Sequence, residues 1–216
     1  DDCKAYGSGA STSYKPVGVM QQFGDSGEFQ FGLVTGSYEK STKGGVLRKN
    51  IYPLVDNEAA NVSQNEIDLA DGSVISGGII TKMDALRVVN RRQSSYSDCP
   101  NGSTTSTIKS DSKCKNWGNP IAEIYLEALR YISGKGSAST AFNANDSSLL
   151  SSLAPVAWVD PYATTPVCSQ CSIILISSGL NSFDGDDFNQ AGDIVGLTNG
   201  LTGLNSVSGK TDIIGT

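Results

Sequence analysis

Every apolar segment in this chain is short, and each is separated from the next by a long stretch rich in Gly, Ser, Thr and Asn. That interruption limits the fold more than any motif does. Unstructured connections of such length are uncommon in a compact metabolic enzyme. They suit a surface protein that presents loops from a rigid body. The 216 residues fit one domain of ordinary size, and the 24 glycines and only 18% charged residues describe a neutral-polar, loop-rich surface. The complete absence of His removes Ser-His-Asp and Cys-His triads, His-ligated zinc and any imidazole base. A formal charge of -6 gives little to grip phosphate with, so nucleic acid is not an expected partner. No run of 18 apolar residues is present to span a bilayer. The expectation is a non-enzyme.

Between the polar stretches the regular elements stand out. Residues 1–13 read as an exposed lead-in, and Phe29–Thr35 as a strand with Phe29, Phe31 and Leu33 on one side. Gly36–Gly45 is a polar turn region, followed by a short extended segment, Val46–Ile51. Glu66–Ser73 alternates with period two and ends in an Asp-Gly turn. Ile79–Val89 spaces Ile79, Met83 and Leu86 as one face of a short amphipathic helix. The clearest helix begins after Asn119, a plausible N-cap, with Pro120 at its first position and Ile121, Ile124 or Tyr125, Ala128, Leu129 and Ile132 as its apolar face. Glu123 and Arg130 suit the two ends of its dipole, and Gly134 or Gly136 stops it. Ile173–Ile176 is a continuous apolar run, the pattern of a strand buried on both faces of a parallel sheet. Residues 190–216 are a loop-rich tail. Strand, helix and strand in this order predict an α/β sheet with large insertions.

Five cysteines point to an oxidising compartment. Cys99 and Cys114 bracket a polar loop, and a bridge there would contribute about 3 kcal/mol by chain entropy. Cys168 and Cys171 precede a strand, whereas redox pairs usually follow one, so a structural bridge is favoured over a thioredoxin-like motif or half a zinc site. Cys3 is then left over. Asp184, Asp186 and Asp187 form the one tight carboxylate cluster and the one candidate metal site, with calcium as its cation. No EF-hand spacing surrounds them, and such runs are usually solvated turns. Arg87, Arg91 and Arg92 make the single basic patch, which reads as helix-end solvation. Trp117, Trp158, Phe29, Phe31 and Tyr125 read as core rather than as ligand platforms.

Several phrases resemble the N-terminal region of the PilC/PilY family, the large tip-associated proteins of bacterial type IV pili. They are Tyr14–Gln21, Phe31–Tyr38, Gly44–Asn50, Trp117–Glu123, Glu127–Tyr131 and Trp158–Tyr162, with the Cys-preceded run to Ser177 last. They occur in order from the start to about residue 190. The resemblance implies a secreted, surface-exposed protein of the pilus tip that aids pilus assembly and adhesion. Its partners would be minor pilins, a host or surface ligand, and the remaining domains of a longer parent protein.

The implied fold is a von Willebrand factor A-like, Rossmann-like α/β sheet with long loop insertions, residues 1–216 being a fragment of that single domain. The cation motif of such domains, Asp-x-Ser-x-Ser, is missing; the nearest phrase is Asp25-Ser26-Gly27. The second-loop position falls on Asn119 and the later acidic position near Ser178, an amide and a hydroxyl in place of charged oxygen ligands. Either the first strand lies upstream, or the domain uses the fold without its metal. A missing central strand would expose sheet edges for a partner segment to fill. Two further readings are a structural filament subunit held by strand addition and a calcium-dependent binding module.

Overall fold

The computed structural model describes residues 3–25, 27–55, 65–86, 118–148, 153–163, 170–177 and 179–184. Its centre is an antiparallel pair, β3 (Gln30–Thr35) and β4 (Val46–Pro53), joined by the Gly36–Gly45 turn region. The register runs from Gln30 opposite Pro53 to Thr35 opposite Val46, with irregularities between Phe31 and Val34. The N-terminal residues form a second antiparallel pair, β1 (Cys3–Tyr6) on β2 (Ser13–Pro16), followed by the short helix α1 (Val19–Gly24). The segment read as a lead-in is therefore a hairpin, and it buries Tyr6. Glu66–Ser73 does end in a turn, closed by a bridge between Ile67 and Val74. It leads to α2 (Ile79–Ala85). The longest helix, α3 (Ile121–Ile132), packs on both β3 and β4.

Helix α3 ends as expected. Gly134, at φ 78°, takes the left-handed conformation, while its N–H bonds the Tyr131 carbonyl and the Lys135 N–H bonds that of Arg130. This Schellman arrangement satisfies two carbonyls of the last turn. The start differs. Asn119 does not cap the helix; Pro120 holds that position, and the Asn119 side chain points elsewhere.

The buried stripe is also rotated from the apolar one. Glu123, Leu126, Glu127, Arg130 and Tyr131 face inward, while Tyr125 is exposed. Three charges can face inward because partners wait for them. Glu123 accepts the Gly44 N–H at 2.6 Å, Glu127 accepts the Ser139 N–H at 2.7 Å, and Arg130 lies 3.0 Å from Glu127. Buried charges survive only when paired and hydrogen-bonded, and hydropathy spacing has no access to that pairing. The same applies to α2, where Lys82 is buried and Met83, expected inside, is exposed.

A fully buried clamp ties the body together. Arg48 on β4 and Asp146, which begins a single 3-10 turn, form an ion pair with neither side chain exposed to solvent. The Arg48 guanidinium also donates to Thr35 Oγ1 at 3.0 Å, to the Gly36 carbonyl at 3.1 Å and to the Leu153 carbonyl. Asp146 accepts the N–H groups of Tyr38 at 3.1 Å and Glu39 at 2.9 Å. One cation and one anion thus join the end of β3, the turn region, β4 and two distant loops. The Gly36–Gly45 region is ordered by this clamp despite its polar sequence.

Three further expectations are corrected. Every strand pair among the described residues is antiparallel, so the parallel sheet is not formed there. Ile173–Ile176 belongs to no sheet: Ile174 is 83% exposed and Ile176 86%. Phe29 lies just before β3 and packs edge-to-face on Phe23 at 6.2 Å instead of entering the core. The observed architecture is a small α/β fold with two short antiparallel sheets and few helices. Among the described residues no helix is long and apolar enough to cross a membrane.

Candidate functional site

Three loops meet where α3 begins. Gly45 and Gly36 lie against Ile124, Gly118 donates its N–H to the Ser41 carbonyl at 2.9 Å, and Asn119 pairs with Ser182. The Asn119–Ser182 contact is two-way: the Asn119 N–H reaches Ser182 Oγ at 2.9 Å, and the Ser182 N–H reaches the Asn119 carbonyl at 3.1 Å. Asn119 Nδ2 then donates to Ser177 Oγ at 2.9 Å, to the Leu180 carbonyl at 3.0 Å and to the Gly179 carbonyl at 3.2 Å. The structure therefore brings together the two loops that the resemblance assigned to cation binding, although Ser178 itself lies outside the described residues.

Their chemistry does not fit a cation. An amide N–H aimed at three oxygens presents positive charge where a metal would need lone pairs, whereas calcium requires six to eight oxygen ligands. Asp184 is committed as well. Its carboxylate accepts the Ala122 N–H in the first turn of α3 and the Asn181 amide at 2.7 Å. It acts as a remote N-cap in place of the local cap expected at Asn119. Asp186 and Asp187 lie outside the described residues, as do Cys99, Cys114, Cys168, Trp117, Arg87, Arg91 and Arg92. Among the described residues no three His, Cys, Asp or Glu side chains group as metal ligands. Asp184→Ala is expected to cost about 1 kcal/mol, the usual loss for a helix cap. Urea unfolding with and without millimolar calcium checks this: the deficit should be the same in both, and a deficit confined to the calcium sample would restore Asp184 to a metal site.

At the opposite end of α3, Tyr131 accepts the Ile51 N–H on its hydroxyl at 2.9 Å and meets the Trp158 ring edge-to-face at 5.4 Å. Trp158 thus packs as expected, half-buried. Nearby, the Tyr162 hydroxyl donates to Cys171 Sγ at 2.9 Å, and that bond pushes the phenol pKa up to about 12. Cys171 is a free, exposed thiol, and Cys168, its expected partner, lies outside the described residues. Cys3 is free and exposed too.

A second charged cluster escaped the sequence reading. Glu66 caps α2 from a distance, accepting the N–H of Ile79 at 2.8 Å and of Ile80 at 3.1 Å, and it lies 3.9 Å from Lys49. Burial first, then repulsion from Arg48 and Lys49, holds the Lys82 ammonium below its ordinary 10.5, and burial does the same to Lys49. The only warning in the sequence was Arg48-Lys49 directly after Val46-Leu47, where alternation cannot send both charges to solvent. A lysine pKa depressed by folding means that the unfolded chain holds more protons in the interval below 10.5, so stability rises with pH there. Burial raises the Tyr131 pKa from its ordinary 10.0, and this works in the opposite direction only above that value. The melting temperature should therefore climb as the pH rises toward 10.5. Lys82→Met should flatten the climb, and a flat wild-type profile would contradict the reading.

An apolar groove of about 580 Å³ lies between the N-terminal hairpin and the body, lined by Val19, Met20, Leu54, Ile67, Val74 and Ile80.

Comparison with known proteins identifies the chain. A family model described as the second domain of PilY1 homologues matches residues 31–216. The chain belongs to that PilY1-homologue family. The match starts at β3, so the β1–β2 hairpin and α1 precede it. The Type IV pilus biogenesis factor PilY1 homolog of Xylella fastidiosa (strain Temecula1 / ATCC 700964) is 29% identical over 202 residues, covering 85% of this chain and 13% of that protein. The chain thus spans about an eighth of the length of this curated PilY1 relative. No solved structure matches.

Proposed function

We propose that this PilY1-family chain is a binding domain of a cell-surface protein that supports type IV pilus biogenesis and adhesion, and that it is not an enzyme. The observation that carries this reading is the family match over residues 31–216, together with the name of the relative, a type IV pilus biogenesis factor. Minor pilins at the filament tip and a host or surface ligand are the partners proposed, and the pilus tip is the proposed location. The architecture suits such work. The Arg48–Asp146 clamp and α3 make a rigid body, and the sequence carries long neutral-polar stretches between its elements. With few charges, such loops recognise partners by hydrogen bonds rather than by long-range attraction. A bridge between Cys99 and Cys114 belongs to the same proposal, as a limit on the entropy of one loop.

A von Willebrand A-like layout is proposed for the body. It is supported by the meeting of Asn119 with the loop that follows Ser177. In this reading the loop meeting has replaced its metal by hydrogen bonds. The test is a piliated bacterium carrying the parent protein with residues 31–216 deleted. Fewer surface pili, or normal pili with reduced attachment, is the expected result. Unchanged piliation and unchanged attachment would overturn the reading.

A further inference from the structure

The groove beside the N-terminal hairpin has two walls of different origin. One is Pro16, Val19 and Met20, where β2 ends and α1 begins. The other is Ile67 and Val74, the bridged pair around the Asp-Gly turn, with Ile80 of α2. The match to the second-domain model begins at residue 31, so the first wall precedes the matched domain and the second belongs to it. The groove is therefore a seam between that domain and what comes before it.

Its apolar lining is open to solvent. Helix α1 is six residues long, and its three large apolar side chains, Val19, Met20 and Phe23, are all exposed, Val19 to 72%. Across the groove, Val74 and Ile80 are exposed as well. A helix this short draws its stability from packing of its apolar face rather than from its own hydrogen bonds. Apolar side chains gathered around a concave surface mark an interaction site.

The backbone shows from where cover can come. Cys3 opens β1 and stands opposite Pro16 in the register of the hairpin. Paired strands lie about 4.8 Å apart, so polypeptide arriving at Cys3 passes one strand's width from the groove wall. Because the pair is antiparallel, it arrives on the side where β2 runs out toward Val19 and Met20. The matching model is that of a second domain, and the chain covers 13% of its Xylella relative. Polypeptides of this family thus carry chain ahead of such a domain.

We propose that this groove docks an apolar segment of the preceding domain of the same polypeptide, upstream of residue 1, whose chain enters through β1. A tethered occupant is favoured over a second copy or a free partner. The tether emerges at the groove itself and supplies the segment at high effective concentration. The proposal concerns how this domain is joined to its polypeptide and stands whether or not the pilus reading holds.

A photoreactive p-benzoylphenylalanine in place of Val19 tests it in the purified full-length polypeptide. Irradiation is expected to join position 19 to residues upstream of residue 1 in the same molecule, located by peptide mass spectrometry. Val19→Asp gives a second readout. An acid in the first turn suits α1 itself, so the substitution should not lower the melting temperature of the 216-residue chain. In the full-length polypeptide it should lower the melting temperature of this domain by several degrees, because the docked segment buries the new charge. A crosslink to a second copy, a crosslink confined to residues 1–216, or no crosslink would overturn the proposal. So would a melting temperature that responds equally in the two polypeptides.

Discussion

Asp146→Ala should lower the unfolding free energy of the chain by about 3–5 kcal/mol, the usual cost of removing one partner from a buried ion pair. The expectation rests on what the substitution strands. Arg48 keeps its neutral acceptors at Thr35, Gly36 and Leu153 but loses its counter-charge, with no path to solvent. The N–H groups of Tyr38 and Glu39 lose their shared acceptor as well. Replacing both partners by apolar residues, Arg48→Met with Asp146→Leu, should recover much of the loss, because no uncompensated charge then remains. The part-exposed Lys4–Asp25 pair serves as a control, with Lys4→Ala expected to cost less than about 1 kcal/mol. Urea unfolding at constant m-value is the measurement. A loss for Asp146→Ala no larger than that of the control would mean that the clamp does not organise the body.

Gly44→Ala should cost about 2–5 kcal/mol, from two separate sources. Its φ of 45° lies in the left-handed region, where a Cβ costs about 1–2 kcal/mol. A Cβ there would also stand 2.1 Å from the Phe142 ring, so the core must shift, at about 1–3 kcal/mol. The same residue donates the N–H that satisfies buried Glu123, so displacing it threatens that bond too. Gly136→Ala, with nothing within 4 Å of its Cβ, should change stability by no more than about 0.5 kcal/mol. Thermal melting of the two variants side by side decides it. Equal melting temperatures would remove Gly44 from the list of sterically required positions.

The comparison of Gly44 with Gly134 shows which glycines could be read in advance. Gly134 follows a helix of clear period and adopts a local capping conformation that the helix itself demands. Gly44 is required because Phe142, nearly a hundred residues later in the chain, occupies the space beside it. The candidate site divides in the same way. The motif order brought Asn119 and the loop near Ser178 to one place, and the structure agrees, yet what fills that place is a hydrogen-bonded amide. Asp184, the one described member of the acidic cluster, accepts the Ala122 N–H and so supports the helix start.

By itself the sequence determined the elements that local rules govern: a strand at β3, a turn region and an extended segment at β4, the Asp-Gly turn, and helix α3 with its glycine stop. It also pointed to the family through phrases that occur in order along most of the chain, and the family model matches residues 31–216. Only the tertiary structure decided which face of each element turns inward. On α3 and α2 the buried charged positions are Glu123, Glu127, Arg130 and Lys82, and on β4 Arg48 and Lys49 join them. A charge can enter a core only where distant residues supply its partner, and those partners are remote in sequence. The fate of Ile173–Ile176 has the same origin. Its apolar pattern predicted a strand buried in a parallel sheet, yet the segment is exposed and in no sheet, because burial depends on a neighbour that its own residues do not encode.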